Sequence, residues 1–159
     1  PKHSDWRSIF KQAHQCLSER YDLVICLVDM DVVYNKPTEK TAYLKAKAKA
    51  EKAKIKVIET NPCTEFWFLL HFLPNLSTKT YVSYDDVVKD LRRYLPGYEK
   101  SKKYFKKIQP YQYLAEYGDL ERAVSYAKQL YTLAQQTPED LHSYTQIHEL
   151  LELLESIAQ

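Results

Sequence analysis

Glycine is rare in this sequence, with only 2 in 159 residues. No GxGxxG or GxxxxGK segment can be written, so glycine-rich phosphate loops are excluded.

Cysteine is scarce as well. Cys16, Cys26 and Cys63 are odd in number and form no CxxC pair, and no signal peptide is visible, which indicates reduced thiols in a cytoplasmic protein. No zinc-ligand spacing is present, and no apolar run approaches the roughly 20 residues that span a bilayer, so no membrane contact is expected.

Basic residues are concentrated although the net charge is only +2. Residues 36–56 hold eight lysines and residues 98–107 hold five, whereas residues 137–159 carry five acids and no lysine or arginine. Such basic stretches suit a phosphate backbone, and they equally suit solvated helix faces. The candidate nucleic-acid contacts are Lys45, Lys49, Lys52, Lys102 and Lys103.

The first half of the chain alternates between helical and strand patterns. Residues 5–20 place apolar side chains at helical spacing. The run "YDLVICLVD" predicts a strand covered on both faces, and "IKVIET" predicts another. The Ala/Lys-rich segment between them favours a helix, because both residues are strong helix formers. A further helix is predicted for "TEFWFLLHF", and this alternation indicates an α/β fold with a parallel sheet and right-handed crossovers.

The second half reads as helical. We predict an α/β core over residues 1–75 and a helical C-terminal region over residues 76–159 that packs on it. The predicted helices of this region cover residues 85–95, 111–117, 119–135 and 143–157.

Two carboxylates, Asp29 and Asp31, stand where the first strand surfaces. Ligands bind at the carboxyl ends of strands in open α/β sheets. In extended geometry residues i and i+2 point to the same side, so both acids are expected to face one cation. Mg²⁺ takes oxygen ligands, often one or two carboxylates with waters and substrate phosphate. The alternative stays open that Asp29 caps a loop and Asp31 is merely exposed.

The segment "TNPCTEFWFLLHF" supplies three more candidates, namely Asn61, Glu65 and His71. Glu65 and His71 are six residues apart, so they do not share a helix face. Glu65 suits a catalytic role, and it equally suits a role at the positive end of its helix. For His71 the pattern favours a hydrogen-bonded, half-buried histidine over a catalytic one, and Cys63 is interpreted as a small core residue.

Four segments together resemble one family. "LVICLVDMD", "IKVIETNPCTEFWFLLHF", "LPGYEKSKKYF" and "SYTQIHELLELL" occur in the order found in RloB-like proteins, which accompany bacterial restriction-modification and defence loci. The resemblance implies a Toprim-type fold with a small parallel sheet between helices. It further implies that Asp29 and Asp31 match the DxD pair that binds Mg²⁺ or Mn²⁺, and that the domain is a nuclease acting on RNA or DNA.

The resemblance also implies a strand and a glutamate ahead of the first helix. This sequence begins at that helix, with "PKHSDWRSIF", and no residue matches the glutamate. Cleavage is therefore expected to need it, and an unpaired sheet edge is expected to invite a homo-oligomer or a defence-system partner protein. The alternative function is a non-catalytic binding or regulatory module, and a primase-like nucleotidyl transferase ranks last.

Overall fold

The computed structural model describes residues 5–34, 37–76 and 79–158, so Lys36 of the first basic stretch lies outside the described residues. The chain has a mixed α/β fold with a three-stranded sheet. The helices are α1 Trp6–Ser18, α2 Asp31–Tyr34, α3 Pro37–Lys52, α4 Glu65–Leu70, α5 Tyr84–Leu91, α6 Lys102–Ile108, α7 Pro110–Tyr117, α8 Leu120–Gln136 and α9 Ile147–Ile157; the strands are β1 Ile25–Asp29, β2 Lys56–Asn61 and β3 Tyr144–Thr145.

Helix α1 forms where the apolar spacing predicts it. Asp5 is its N-cap, and the carboxylate of Asp5 accepts hydrogen bonds from the backbone N–H groups of Arg7 and Ser8. This satisfies donors that the first helical turn leaves unpaired. The apolar face buries Trp6 and Phe10, so the helix lies against the sheet rather than in solvent.

Strands β1 and β2 run parallel, with Ile25 opposite Lys56 and Asp29 opposite Thr60, and α3 lies between them in the chain. The predicted parallel pair is therefore confirmed. Strand β3 pairs antiparallel to β2, which makes the sheet mixed and corrects the expectation of a purely parallel one. Its two residues were predicted to begin the last helix. They form a strand because the backbone is buried against β2, and the Thr145 and Thr60 hydroxyl oxygens lie 3.0 Å apart.

Burial differs between the two parallel strands. In β1, Cys26 and Val28 are buried while Leu27 is 37% exposed, so the expectation that both faces of this strand are covered is wrong. β1 lies at the edge of the described sheet, whereas β2 is central and buried along almost its whole length. Neighbouring residues of β2 point to opposite faces. Val57 accordingly joins the core beneath α1 and α3, and Ile58 joins the core built by the later helices.

The later helices pack on the other face of the sheet, where α8 contacts α4 and β3, and α9 contacts β2 and α8. Helix α6 was not predicted. It begins at Ser101, whose hydroxyl oxygen accepts a hydrogen bond from the backbone N–H of Tyr104. In the described part of the chain, every helix is too short or too polar to cross a membrane.

Candidate functional site

The chain turns sharply at the carboxyl end of β1. Met30 and Asp31 both donate their backbone N–H groups to the carbonyl oxygen of Pro62, each at 3.0 Å. Helix α2 then begins at Asp31, whose Oδ1 accepts a hydrogen bond of 2.7 Å from the Val32 N–H. Asp31 is therefore helical, and the prediction that the two acids lie in one extended segment is wrong. The turn nevertheless leaves both Asp29 and Asp31 lining the same cleft.

Asp29 connects the end of β1 to the segment between β2 and α4. Its Oδ1 accepts hydrogen bonds from both the backbone N–H and the hydroxyl of Thr64, each at 2.8 Å. Thr64 immediately precedes α4, so Asp29 holds the start of that helix against the end of β1. One carboxylate oxygen is thereby committed to structure, and Oδ2 is left facing the cleft, 3.5 Å from the Lys100 ammonium.

Glu65 lies behind this pair as a buried third carboxylate, with its side chain only 2% exposed. Its Oε1 accepts a hydrogen bond of 2.9 Å from the Tyr98 hydroxyl and lies 3.1 Å from the Lys100 Nζ. Lys100 thus bridges Asp29 and Glu65. Burial alone would lower the pKa of Lys100, but the carboxylates of Glu65 and Asp29 outweigh it and raise the pKa above its ordinary value.

The surroundings of Asp31 raise the pKa of its carboxyl group above the ordinary value. Burial raises the pKa of Asp31 first, and the neighbouring charges of Asp29 and Glu65 raise it further, against an opposing effect of Lys100. Burial and nearby negative charges disfavour the ionised form of an acid, whereas a nearby ammonium favours it. The ionised form of Asp31 is therefore disfavoured in the folded chain.

The cleft around these groups has a volume of about 430 Å³. Helix α1 contributes Trp6 and Arg7, the β1–α2 turn contributes the two aspartates, and the segment before α6 contributes Lys100. The side chain of Lys100 is 54% exposed, so it can reach a ligand in the cleft.

The chemistry of the cleft fits a hard divalent cation, because Asp29 and Asp31 offer carboxylate oxygens and such cations prefer oxygen ligands. Among the residues that the structure describes, no three His, Cys, Asp or Glu side chains form a ready metal cage. Mg²⁺ needs no such cage, since it is commonly held by one or two carboxylates with water and substrate phosphate. Asp29 and Asp31 are the pair that fits this arrangement.

Asn61 lies apart from the cleft although it ends β2. It is 3% exposed, and its Nδ2 donates a hydrogen bond to the carbonyl oxygen of His142. It borders a different pocket of about 210 Å³, together with Tyr34 and Tyr144. This arrangement gives Asn61 a role in holding the segment before β3.

His71 is also separated from the acids. It is 4% exposed, its ring meets Trp67 edge-on at 4.9 Å between centroids, and a Cβ at Gly118 would lie 2.9 Å from its Nδ1. Neither ring nitrogen has a hydrogen-bond partner among the described residues, which corrects the interpretation of a hydrogen-bonded, half-buried histidine. Burial lowers the pKa of His71 to about 4. The imidazole is therefore uncharged at neutral pH, and it packs against Trp67 away from the cleft.

Cys63 borders the cleft but is only 1% exposed. Burial, followed by the nearby Glu65 charge, raises the pKa of the Cys63 thiol above its ordinary value. Since the thiolate is the nucleophilic form, the raised pKa disfavours reaction at this thiol, and its burial agrees with its interpretation as a core residue.

The five candidate lysines are all exposed. Lys45, Lys49 and Lys52 lie on α3, while Lys102 and Lys103 open α6 directly after Lys100. Sequence reasoning included Lys100 among the basic residues of its segment but missed its pairing with the acids. It also missed Thr64 and Tyr98, which donate hydrogen bonds to the acids, and Tyr84, whose ring centroid lies 5.6 Å from the Lys100 Nζ. No local pattern marks these four residues, because their partners are distant in the chain.

A family model described as RloB-like protein matches residues 1–154. The chain belongs to the RloB-like family. The resemblance seen in the four sequence segments is therefore confirmed over nearly the whole chain. Neither the search of curated proteins nor the search of solved structures gave a match.

Proposed function

We propose that this RloB-like chain is a nuclease domain that uses Mg²⁺ or Mn²⁺ to act on phosphodiester bonds of RNA or DNA in bacterial defence against phage. The observation that carries the proposal is the pair Asp29 and Asp31 on one cleft, with Glu65 and Lys100 beside them. The family resemblance supplies the biological setting.

The charge balance of the cleft supports a cation ligand. Lys100 is paired with Asp29 and Glu65, and Arg7 is paired with Glu39. The pKa of Asp31 is raised by its burial and by the charges of Asp29 and Glu65. A divalent cation held by Asp29 and Asp31 would relieve this repulsion. When bound, it would neutralise charge on a phosphate and lower the pKa of a coordinated water.

Lys100 is the residue that connects the acids to a substrate. Its Nζ lies within 3.5 Å of both Asp29 and Glu65, and more than half of its side chain is exposed. With a cation on the aspartates, Lys100 is free to donate to phosphate oxygens while Glu65 orients its Nζ from below. Glu65 is thus a positioning residue in this proposal.

The resemblance implies that cleavage needs a glutamate ahead of the first helix, whereas the proposed cation site needs only Asp29 and Asp31. Cation binding and cleavage are therefore measured separately. Titration calorimetry with Mn²⁺ on the unaltered chain, Asp29→Asn and Asp31→Asn is expected to show one site that each substitution weakens at least tenfold. Asp22→Asn, which changes an exposed acid outside the cleft, is the matched control.

Cleavage is assayed on labelled single-stranded RNA, structured RNA and duplex DNA, with Mg²⁺, Mn²⁺ or EDTA. Activity that EDTA and Asp31→Asn both abolish supports the nuclease. Mn²⁺ binding that both aspartate variants leave unchanged would contradict the site itself.

The alternative function, a non-catalytic binding module, is favoured by one contact. The Lys100 ammonium already neutralises part of the charge of Asp29 and Glu65 without any metal. A chain that binds nucleic acid equally well in EDTA and in Mg²⁺ and cuts no substrate would support this alternative.

A further inference from the structure

Helix α6 carries an uncompensated basic face. Its seven residues, "KKYFKKI", include four lysines and no acid. All four are exposed, and within residues 5–34, 37–76 and 79–158 none of them forms an ion pair. A solvated helix face would explain the lysines alone, but they border an apolar surface.

That surface is a groove between α6 and α7 with a volume of about 490 Å³. Phe105, Pro110 and Tyr111 line it, and Lys102 and Lys106 stand one helical turn apart beside them. Cationic side chains thus flank a surface on which a flat, apolar group can lie.

Tyr111 is the most exposed aromatic residue of the groove, at 67%. Its ring meets Phe68 and Phe105 edge-on, at 5.9 Å and 6.4 Å between centroids. These two contacts fix the ring from the protein side. The left-handed backbone of Gln109, with φ of 48°, separates the two helices and starts α7 immediately, which brings Tyr111 beside α6.

We infer that the α6–α7 groove binds unpaired nucleotides of a single nucleic-acid strand, with a base stacked on Tyr111 and the flanking phosphates on Lys102 and Lys106. The inference rests on the proposed function and names its substrate class. Charge complementarity selects this occupant, because a polyanion with exposed aromatic faces matches lysines around an aromatic groove.

The position of the groove agrees with this assignment. Lys102 is two residues from Lys100, which lies in the carboxylate cleft, so a strand can contact both along one continuous stretch of chain. In a duplex the base faces are already stacked on their neighbours, whereas unpaired bases are free to stack on protein side chains. Tyr111 should therefore discriminate for single strands, while the lysines should bind any phosphate backbone.

The test is fluorescence anisotropy of a labelled 12-nucleotide single strand and of its duplex, in EDTA, so that neither cation binding nor cleavage contributes. Tyr111→Ala is expected to weaken single-strand binding by roughly 5- to 150-fold, since that is the range for losing one base–aromatic stack. Duplex binding should change less than twofold. Tyr111→Phe, which keeps the ring, should restore single-strand affinity, and Tyr21→Ala is a matched control at another exposed tyrosine.

The lysines are tested through salt dependence. Lys102→Gln combined with Lys106→Gln should reduce the slope of log K against log salt by about 1.4, because each single-strand phosphate contact contributes about 0.7. Lys11→Gln with Lys89→Gln removes the same charge from exposed positions elsewhere and should leave the slope unchanged.

Equal losses of single-strand and duplex affinity in Tyr111→Ala, or no loss in either, would overturn the inference. So would a poly-glutamate peptide that binds as tightly as the strand and is insensitive to Tyr111, since that identifies an unselective basic face. These outcomes are independent of the proposed nuclease. Asp29→Asn and Asp31→Asn should lose Mn²⁺ binding yet retain single-strand affinity in EDTA.

Discussion

The Lys100 Nζ lies 3.1 Å from Glu65 Oε1, although 35 positions separate the two residues in the chain. The carboxylate is buried and the lysine side chain is half exposed, so the pair sits at the boundary between the core and the cleft. The buried Glu65 carboxylate is contacted by this ammonium and by the Tyr98 hydroxyl. The same ammonium also approaches Asp29, and it therefore competes with any cation for the acids.

The competition between Lys100 and a cation predicts that Lys100→Met lowers stability without metal and increases the stabilisation that Mg²⁺ gives. Without metal, the variant should lose about 1–2 kcal/mol of unfolding free energy, below the ~3–5 kcal/mol for a fully buried pair because Lys100 is half exposed. With 10 mM Mg²⁺, the melting temperature of the variant should rise by more than that of the unaltered chain. Thermal unfolding by circular dichroism measures both.

Lys103→Met is the control for Lys100→Met, since Lys103 is exposed on the same segment and has no ion pair in the described residues. It should be nearly neutral in either buffer. An equal Mg²⁺ effect on Lys100→Met, Lys103→Met and the unaltered chain would contradict the idea that Lys100 occupies part of a cation site.

The pKa of Asp31 predicts a substitution that stabilises the fold at neutral pH. Burial and the neighbouring acids raise the pKa of Asp31 in the folded chain, so its ionised form costs stability at any pH above that raised value. The cost fades as the pH falls through the folded pKa, and it is absent below the unfolded value of 3.8, where both states are protonated. Asp31→Asn should therefore gain about 0.5–1 kcal/mol at pH 7 and nothing near pH 3.

Urea unfolding of Asp31→Asn at several pH values measures this difference. Asn keeps an oxygen that can accept the Val32 N–H, so the first turn of α2 is preserved. Loss of Mn²⁺ binding together with the gain in stability would identify Asp31 as a residue retained for function. A variant less stable than the unaltered chain at pH 7 is the opposite result.

The parts of the fold that sequence reasoning predicted are those with local signals. Helix α1 has a cap and an apolar period, and β1 and β2 are apolar runs bounded by polar residues. Strand β3 has only two residues, and it exists because Thr145 and Tyr144 pair with the end of β2. No periodicity can be read from so short a segment, so the pattern of the following helix was extended over it.

The candidate site shows the same limit. The acids were found because Asp29 and Asp31 stand together at the end of an apolar run. The geometry of the two acids was not predicted, because the turn at Asp31 depends on the carbonyl oxygen of Pro62, which is distant in sequence. The pairing of Lys100 with Glu65 likewise arises only when α4 and the segment before α6 pack together.

His71 predicts how stability depends on pH. Its ordinary pKa is 6.5, and burial lowers it to about 4 in the folded chain. Between these values the unfolded state binds a proton that the folded state does not, so stability is full above pH 6.5 and falls as the pH decreases toward 4. The gap corresponds to roughly 3 kcal/mol, because one pKa unit is worth about 1.4 kcal/mol.

His71→Leu should remove most of this decline. The ring nitrogens have no hydrogen-bond partner in the described residues, so an apolar side chain of similar size forfeits none. Urea unfolding between pH 4 and 8 compares the variant with the unaltered chain and with His14→Leu, a change at a partly exposed histidine of α1. A decline that persists unchanged in His71→Leu would assign it to other groups.

A comparison of Tyr98 with Tyr104 isolates the hydrogen bond to the buried Glu65 carboxylate. Both rings are buried and in contact, 5.3 Å apart between centroids, yet only the Tyr98 hydroxyl donates to Glu65. The Tyr104 hydroxyl is buried without a partner among the described residues. Tyr98→Phe should therefore cost about 1.5–3 kcal/mol, the range for a hydrogen bond to a charged group, whereas Tyr104→Phe should be neutral or stabilising.

Equilibrium unfolding of both Phe variants decides this, and the comparison controls for the loss of a hydroxyl from a buried ring. The cost of Tyr98→Phe should also shrink in Glu65→Gln, because the acceptor is then uncharged. Equal costs for Tyr98→Phe and Tyr104→Phe would mean that Glu65 does not depend on the Tyr98 hydroxyl. Its charge would then be held by Lys100 alone, and Lys100→Met should prove more damaging than the half-exposed pair implies.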